Sequence, residues 1–298
     1  MRETDRLTDY IQKEEWPSYR NDFVQWMQPL SDAARDKYIE GIEEGFADGV
    51  RVLISTPNGY RPEQDDKVLV YFHGGAYALG APDCQLHLPA PVAFYASLRC
   101  VSVDYPLAPE HPFPEAHDAC FKVYCALAKR FQPEKIVLMG DSAGGSLALA
   151  TALKARDAGV PLPGAIIAYS PACDLLQTSP TYNSLGTTGL SRKLTPEYMR
   201  AVKDLLSLED EGSPYASPLY ADYTCAPFPP VMITTGSLDL LQGECALLAE
   251  KLQKAGVNVH YFCDKGLWHN FQEEKETPES VRSAERAAQF IKQTLQAG

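Results

Sequence analysis

The chain of 298 residues is 45% hydrophobic and 22% charged, values that belong to a folded globular protein rather than a disordered or fibrous one. Its 39 acidic and 27 basic residues give a formal net charge of −12, so nucleic acid and anionic membrane surfaces meet no broad basic face. No run of about 18 apolar residues suits a membrane span. The charged start Met1-Arg2-Glu3-Thr4-Asp5-Arg6 leads into no apolar signal-peptide core. Eight cysteines form no CxxC pair, and no N-x-Ser/Thr sequon occurs, so reduced, mostly buried thiols and a cytoplasmic location are expected.

Residues 1 to about 45 mix charges with Phe23, Trp26, Met27 and Leu30 at helical spacing, which predicts a helix with one apolar face. After Gly49 the pattern changes to short apolar runs. Val50-Arg51-Val52-Leu53-Ile54 alternates, as a strand near a sheet edge does. Val68-Leu69-Val70-Tyr71-Phe72 is continuous, as a strand buried on both faces is. Further continuous runs cover 100–103, 136–139, 165–169, 231–234 and 257–262. Helical patterns fall at about 117–130, 143–158, 243–255 and 279–296. This alternation predicts an α/β fold, a mostly parallel sheet with helices on both faces. Residues 174 to about 225 break the rhythm. They carry Tyr182, Leu185, Leu190, Leu194, Tyr198, Leu205 and Leu206 but no buried-strand run, and read as an insertion over the site.

Three motifs carry chemistry. The run at 136–139 enters Gly140-Asp141-Ser142-Ala143-Gly144-Gly145 and then a helix, a G-x-S-x-G turn that lifts a serine hydroxyl clear of the backbone. Taken alone, the string is equally a tight glycine turn; its place between strand and helix makes Ser142 the candidate nucleophile. His73-Gly74-Gly75-Ala76 follows the run at 68–72. There the N–H groups of Gly74 and Gly75, with that of Ala143, are candidate donors to an oxyanion, and His73 is expected to order the loop rather than act as a base. Asp239 and His269 each follow one of two neighbouring strands, on the sheet edge that Ser142 also occupies. Asp174 is the best alternative acid. His87, His111 and His117 follow no strand end, and His260 lies within a strand. Cys84-x-x-His87 and His260-x-x-Cys263 are read as non-ligands. Without a P-loop or GxGxxG string, no nucleotide cofactor is indicated, and neither cofactor nor metal is expected.

Taken with Tyr105-Pro106-Leu107-Ala108-Pro109-Glu110-His111-Pro112-Phe113-Pro114, these motifs make residues 48–297 resemble the hormone-sensitive-lipase-like carboxylesterases of the α/β-hydrolase fold. The resemblance implies a serine esterase acting on short- to medium-chain carboxylic esters. Its triad would be Ser142, Asp239 and His269, and its oxyanion hole Gly74, Gly75 and Ala143. It also implies a mainly helical cap built from 1–45 and 174–225, over a catalytic core of 46–173 and 226–298. Two positions depart from the family pattern: Ala76 replaces the usual third glycine, and Pro106 replaces an arginine. A small-molecule ester is the expected partner, and the oligomeric state, monomer or homodimer, is left open. The competing readings keep the fold but use the triad for lactone hydrolysis, acyl transfer or cyclisation of a specialised metabolite. A non-catalytic ligand receptor is disfavoured because all three triad groups are present.

Overall fold

A computed structural model describes residues 12, 14–62, 66–186, 194–274 and 276–296. The charged start at 1–6 and Leu190 lie outside the described residues. The chain opens with α1 (Trp16–Tyr38) and passes directly into β1 (Ile39–Ala47), β2 (Val50–Pro57) and β3 (Val68–Phe72). Next come α2 (Pro89–Ala96), β4 (Arg99–Val103), α3 (Glu115–Leu127), β5 (Ile136–Asp141), α4 (Ala143–Asp157) and β6 (Ala165–Tyr169). Two short insertion helices, α5 (Thr181–Ser184) and α6 (Pro196–Leu206), precede β7 (Val231–Gly236), α7 (Gln242–Lys254), β8 (Val259–Asp264) and α8 (Pro278–Gln296).

The strands form one eight-stranded sheet in the order β1-β2-β4-β3-β5-β6-β7-β8, with only β2 antiparallel to its neighbours. Alternation along β3 shows why both faces must be covered. Val68, Val70 and Phe72 point into a core shared with α3, α4 and α7, while Leu69 and Tyr71 point into one shared with α2 and α8. All five are buried, as the continuous apolar run predicts.

Two elements differ from the expectation. The N-terminal segment was expected to run to residue 45, but β1 pairs with β2 from Ile39 onward, so the sheet begins before that boundary. The strand is half exposed at the sheet edge, and its glutamates hide it among the charges of the segment. The other is α2, which is apolar all round and therefore shows no helical stripe; Pro89 at its first turn fits a helix start.

The insertion folds for local reasons. Thr195 caps α6 by accepting the Tyr198 N–H at 3.1 Å, Pro196 supplies a preset first-turn φ, and left-handed Ser207 ends it. Of its buried residues, Tyr198, Met199 and Val202 face the cavity at the carboxyl edge of the sheet, as does part of α1.

Candidate active site

The parallel strands deliver their carboxyl ends to one edge. There β3 ends in the His73 loop, β5 in Ser142, β7 in the turn to Asp239 and β8 in the turn to His269. Ser142 sits at φ 51°, ψ −119°, a conformation costly for a non-glycine residue, between the last strand residue and the first residue of α4. The glycines two positions either side are forced by contact. A Cβ on Gly140 would come within 2.1 Å of the Gly144 carbonyl oxygen, and one on Gly144 within 1.9 Å of the Phe72 carbonyl oxygen.

The imidazole of His269 lies between the other two groups. Its Nε2 accepts from the Ser142 hydroxyl at 3.1 Å, and its Nδ1–H faces both Asp239 carboxylate oxygens at 3.1 and 3.2 Å. Asp239 is fully buried and also accepts from Thr235 Oγ1 and the Leu241 N–H, each at 2.9 Å. Burial pushes this carboxyl up, but the facing imidazole and the surrounding donors outweigh it and hold the acid below its usual range. An ionised Asp239 fixes the tautomer that leaves Nε2 as an acceptor.

The rivals are elsewhere. Asp174 accepts from Thr178 and from the Tyr220 hydroxyl, a set that anchors the insertion. His111 faces Glu115 on the surface, His117 stacks on Tyr77, and His260 packs against Phe290. His73 is buried, stacked on Tyr105 at 4.2 Å, with Nδ1 against the Gly74 carbonyl; burial lowers its pKa to about 4. It orders the loop, as expected. Of the eight free cysteines only Cys225 and Cys263 are exposed, and no cluster of three or more His, Cys, Asp or Glu suited to a metal occurs among the described residues.

One site expectation needs correction. The Gly74 N–H, expected to face an oxyanion, donates instead to Asp141 Oδ1 at 3.0 Å. Gly75 and Ala76 turn toward the cavity beside Ser142 and Ala143, both with positive φ (107° and 57°). The Gly74 amide is thus taken by a buried carboxyl, which leaves Gly75 and Ala76 as the loop residues that line the cavity. The family's third loop position, occupied here by Ala76, was the available signal.

A second network, unmarked by any motif, lies behind the first. Asp141 is buried, accepts from the Tyr71 hydroxyl at 2.6 Å and from Asn270 Nδ2 at 2.8 Å, and Asn270 Nδ2 also donates to Glu273 Oε1 at 3.0 Å. Burial, and then the negative charge of Glu273, raise the Asp141 pKa to about 7.

Above Ser142 lies a cavity of about 620 Å³. Trp26, Phe23 and Tyr19 of α1 bound it on one side, and Tyr198, Met199 and Val202 of α6 on another. Trp26 and Tyr198 thus line it, whereas Tyr182 of the insertion is buried and donates to Glu244 Oε2.

A serine, a histidine and an aspartate in hydrogen-bond reach at the strand ends of a mostly parallel sheet fit the α/β-hydrolase class. The family model described as "alpha/beta hydrolase fold" matches residues 69–273, and the chain belongs to that family. An acetyl-hydrolase of Streptomyces hygroscopicus is 32% identical over 282 residues, spanning 92% of this chain and 91% of the relative. The crystal structure of an esterase, E25, aligns with a TM-score of 0.87 at 27% identity, covering 98% of this chain and 89% of that one. An esterase from the bacterial hormone-sensitive lipase family aligns at 0.81 and 25% identity over 96% of this chain and all of that chain (100%). Among the described residues, no helix is long and apolar enough to cross a membrane.

Proposed function

We propose that Ser142, His269 and Asp239 are the nucleophile, general base and orienting acid of a serine carboxylesterase acting on short- to medium-chain esters. The observation that carries this reading is the position of His269, with Nε2 at 3.1 Å from Ser142 Oγ while Nδ1 is held by a buried carboxylate. In the first step the Ser142 oxygen bonds to the ester carbonyl carbon as its proton passes to Nε2. The carbonyl oxygen takes the negative charge, facing the amides of Gly75, Ala76 and Ala143. The N-terminus of α4, which begins at Ala143, favours that charge. Collapse breaks the bond to the alcohol oxygen, which receives the proton from His269. Water then gives a proton to His269 as it attacks the acyl group, and the carboxylic acid leaves as Ser142 regains its hydrogen.

Residues of α1 and of the 174–225 insertion act in this reading as a cap, with Trp26 and Tyr198 bounding the acyl or alcohol chain. The eight unpaired cysteines suit a reducing compartment, which supports a cytoplasmic location. Hydrolysis of a p-nitrophenyl ester series from acetate to octanoate tests the reading, together with fluorophosphonate labelling followed by peptide mapping. Turnover greatest from acetate to hexanoate, with the label on Ser142, is expected; a label on another serine overturns it. Product analysis with an added alcohol separates hydrolysis from acyl transfer.

A further inference from the structure

We propose that Arg20, a residue of α1 outside the cavity wall, is a positioning residue for the oxyanion hole and acts through two peptide units that end on the Ala76 N–H. The inference rests on the esterase reading above, in which that amide faces the developing charge.

The Arg20 guanidinium reaches three acceptor residues. Its Nε donates to the Ala78 carbonyl at 2.6 Å and its Nη2 to the Ala108 carbonyl, while Nη1 and Nη2 hold the Glu110 carboxylate at 2.9 and 2.6 Å. Only the planar fork of arginine meets such a set at once. Glu110 is 46% exposed, and an ion pair in that setting is worth about 1 kcal/mol or less, so it does not by itself account for the arrangement. The two carbonyl contacts are made on the partly buried side.

Those carbonyls belong to the loops beside Ser142. The Ala78 carbonyl points at Arg20, so across the same trans peptide the Leu79 N–H points the other way, where it donates to the Gly75 carbonyl at 2.8 Å. The Ala78 N–H donates to that carbonyl too, at 3.0 Å. With the Gly75 carbonyl held by this turn, the Ala76 N–H of the same peptide unit is fixed in the opposite direction. Ala76 lines the cavity with Ser142 and Ala143. From Arg20 to Ala76 the donors and acceptors therefore run in one sense, each bond polarising the next, with a full positive charge at the head.

A second tie braces the same turn. The Ala108 N–H donates to the Tyr77 carbonyl at 2.9 Å, while the Ala108 carbonyl accepts from Arg20. Ala76 and Tyr77 both have positive φ, 57° and 60°, which is costly for residues with a side chain, and these contacts oppose their relaxation. Because α1 also places Phe23 and Trp26 on the cavity wall, seating this helix and setting the oxyanion amide are one event.

The test separates stabilisation of an oxyanion from simple binding. The fluoroketone 1,1,1-trifluoroheptan-2-one takes the Ser142 oxygen at its carbonyl carbon; the carbonyl oxygen receives the electron pair as an anion, and the serine proton passes to His269. Heptan-2-one fits the same cavity and stays a ketone. In Arg20→Met the Ki of the fluoroketone should rise about tenfold and kcat/KM on p-nitrophenyl acetate should fall by the same factor, short of the roughly 10²–10³ that loss of a whole donor costs. The Ki of heptan-2-one should move by less than about twofold, since it develops no charge. Arg20→Lys, whose ammonium can serve one carbonyl, should recover part of the loss. Glu110→Gln leaves both carbonyl contacts in place and should change either Ki by less than about twofold. If Arg20→Met yields little folded protein, Arg20→Gln is read by the same criteria. An unchanged fluoroketone Ki, a parallel rise for both ketones, or an equal loss in Glu110→Gln overturns the proposal. A wild type that cleaves no ester and binds the two ketones alike fails the esterase reading itself. A wild type that passes both, with Arg20 variants that match it, leaves the esterase reading standing and removes Arg20 alone.

Discussion

Asn270 Nδ2 lies 2.8 Å from Asp141 Oδ2, and this one bond joins the loop behind the proposed base to the residue before the proposed nucleophile. Asp141 in turn holds the Gly74 N–H, so a single buried carboxyl links the histidine loop, the elbow and the oxyanion loop. Asn270 itself is strained into the left-handed region at φ 47°, which keeps its amide between Asp141 and Glu273.

Replacing Asn270 by alanine leaves both acids short of a donor. A lost hydrogen bond to a buried charged group costs about 1.5–3 kcal/mol. Expected are a fall of about tenfold in kcat on p-nitrophenyl butyrate, a smaller change in KM, and a melting temperature lower by several degrees. A variant with wild-type kcat and melting temperature would show that the network is idle.

The buried imidazole of His117 sets a pH dependence of stability. Burial, with the nearby Lys154 charge, lowers its pKa to about 3 from the ordinary 6.5, so the folded state binds fewer protons than the unfolded one. Its contribution is therefore whole above about pH 6.5 and drains away as pH falls toward 3, by on the order of 4 kcal/mol. Asp141 works in the opposite sense. Its raised pKa makes the folded state hold the extra proton, a contribution present below the unfolded carboxyl range and lost as pH rises through about 7. His117→Phe keeps a ring against Tyr77 and Phe113 while removing the titration. Denaturant unfolding at pH 7 and pH 4.5 should show this variant losing less stability on acidification than the wild type; equal losses would acquit His117.

Much of the fold was legible because its strongest signals are local. The five-residue run of β3 and the glycine turn around Ser142 are each written in a few consecutive residues, whatever they later pack against. The order Ser142, Asp239, His269 follows once the strands are taken as parallel. The links that sequence did not show depend on contacts between distant stretches. Asp141 and Asn270 are 129 positions apart, and nothing near either marks the pair. Gly74 is a subtler miss, since its amide is claimed by the Asp141 carboxyl, which lies 67 positions away in the chain.

Ala76, in the same loop, offers a measurable consequence of its backbone conformation. At φ 57° it pays a left-handed penalty of about 1–2 kcal/mol that glycine does not, although glycine also gains unfolded-state entropy. Ala76→Gly should change stability by less than about 1 kcal/mol and, by removing a methyl group from the cavity wall, move the preferred acyl chain longer. An unchanged acyl profile across the p-nitrophenyl series would place that methyl away from the bound chain. Gly144→Ala is the contrasting case, because its Cβ meets backbone at 1.9 Å and no side chain can swing aside. It should yield little folded protein.

The triad itself is tested most sharply by separating chemistry from folding. Ser142→Ala removes one oxygen from a position that is not fully buried and keeps the same strained backbone, so the melting temperature should stay within about 2 °C. Turnover of p-nitrophenyl butyrate should fall to the level of the oxyanion amides and binding alone, a loss of at least about 10³-fold. Asp239→Asn keeps the shape but presents an amide to Nδ1, which favours the wrong tautomer and should cost about 10⁴-fold in kcat. The same exchange gives up the charge partner of a buried imidazole, so Asp239→Asn should also lose stability where Ser142→Ala does not. Retained hydrolysis in Ser142→Ala would dismiss that serine as the nucleophile, whatever the geometry around His269.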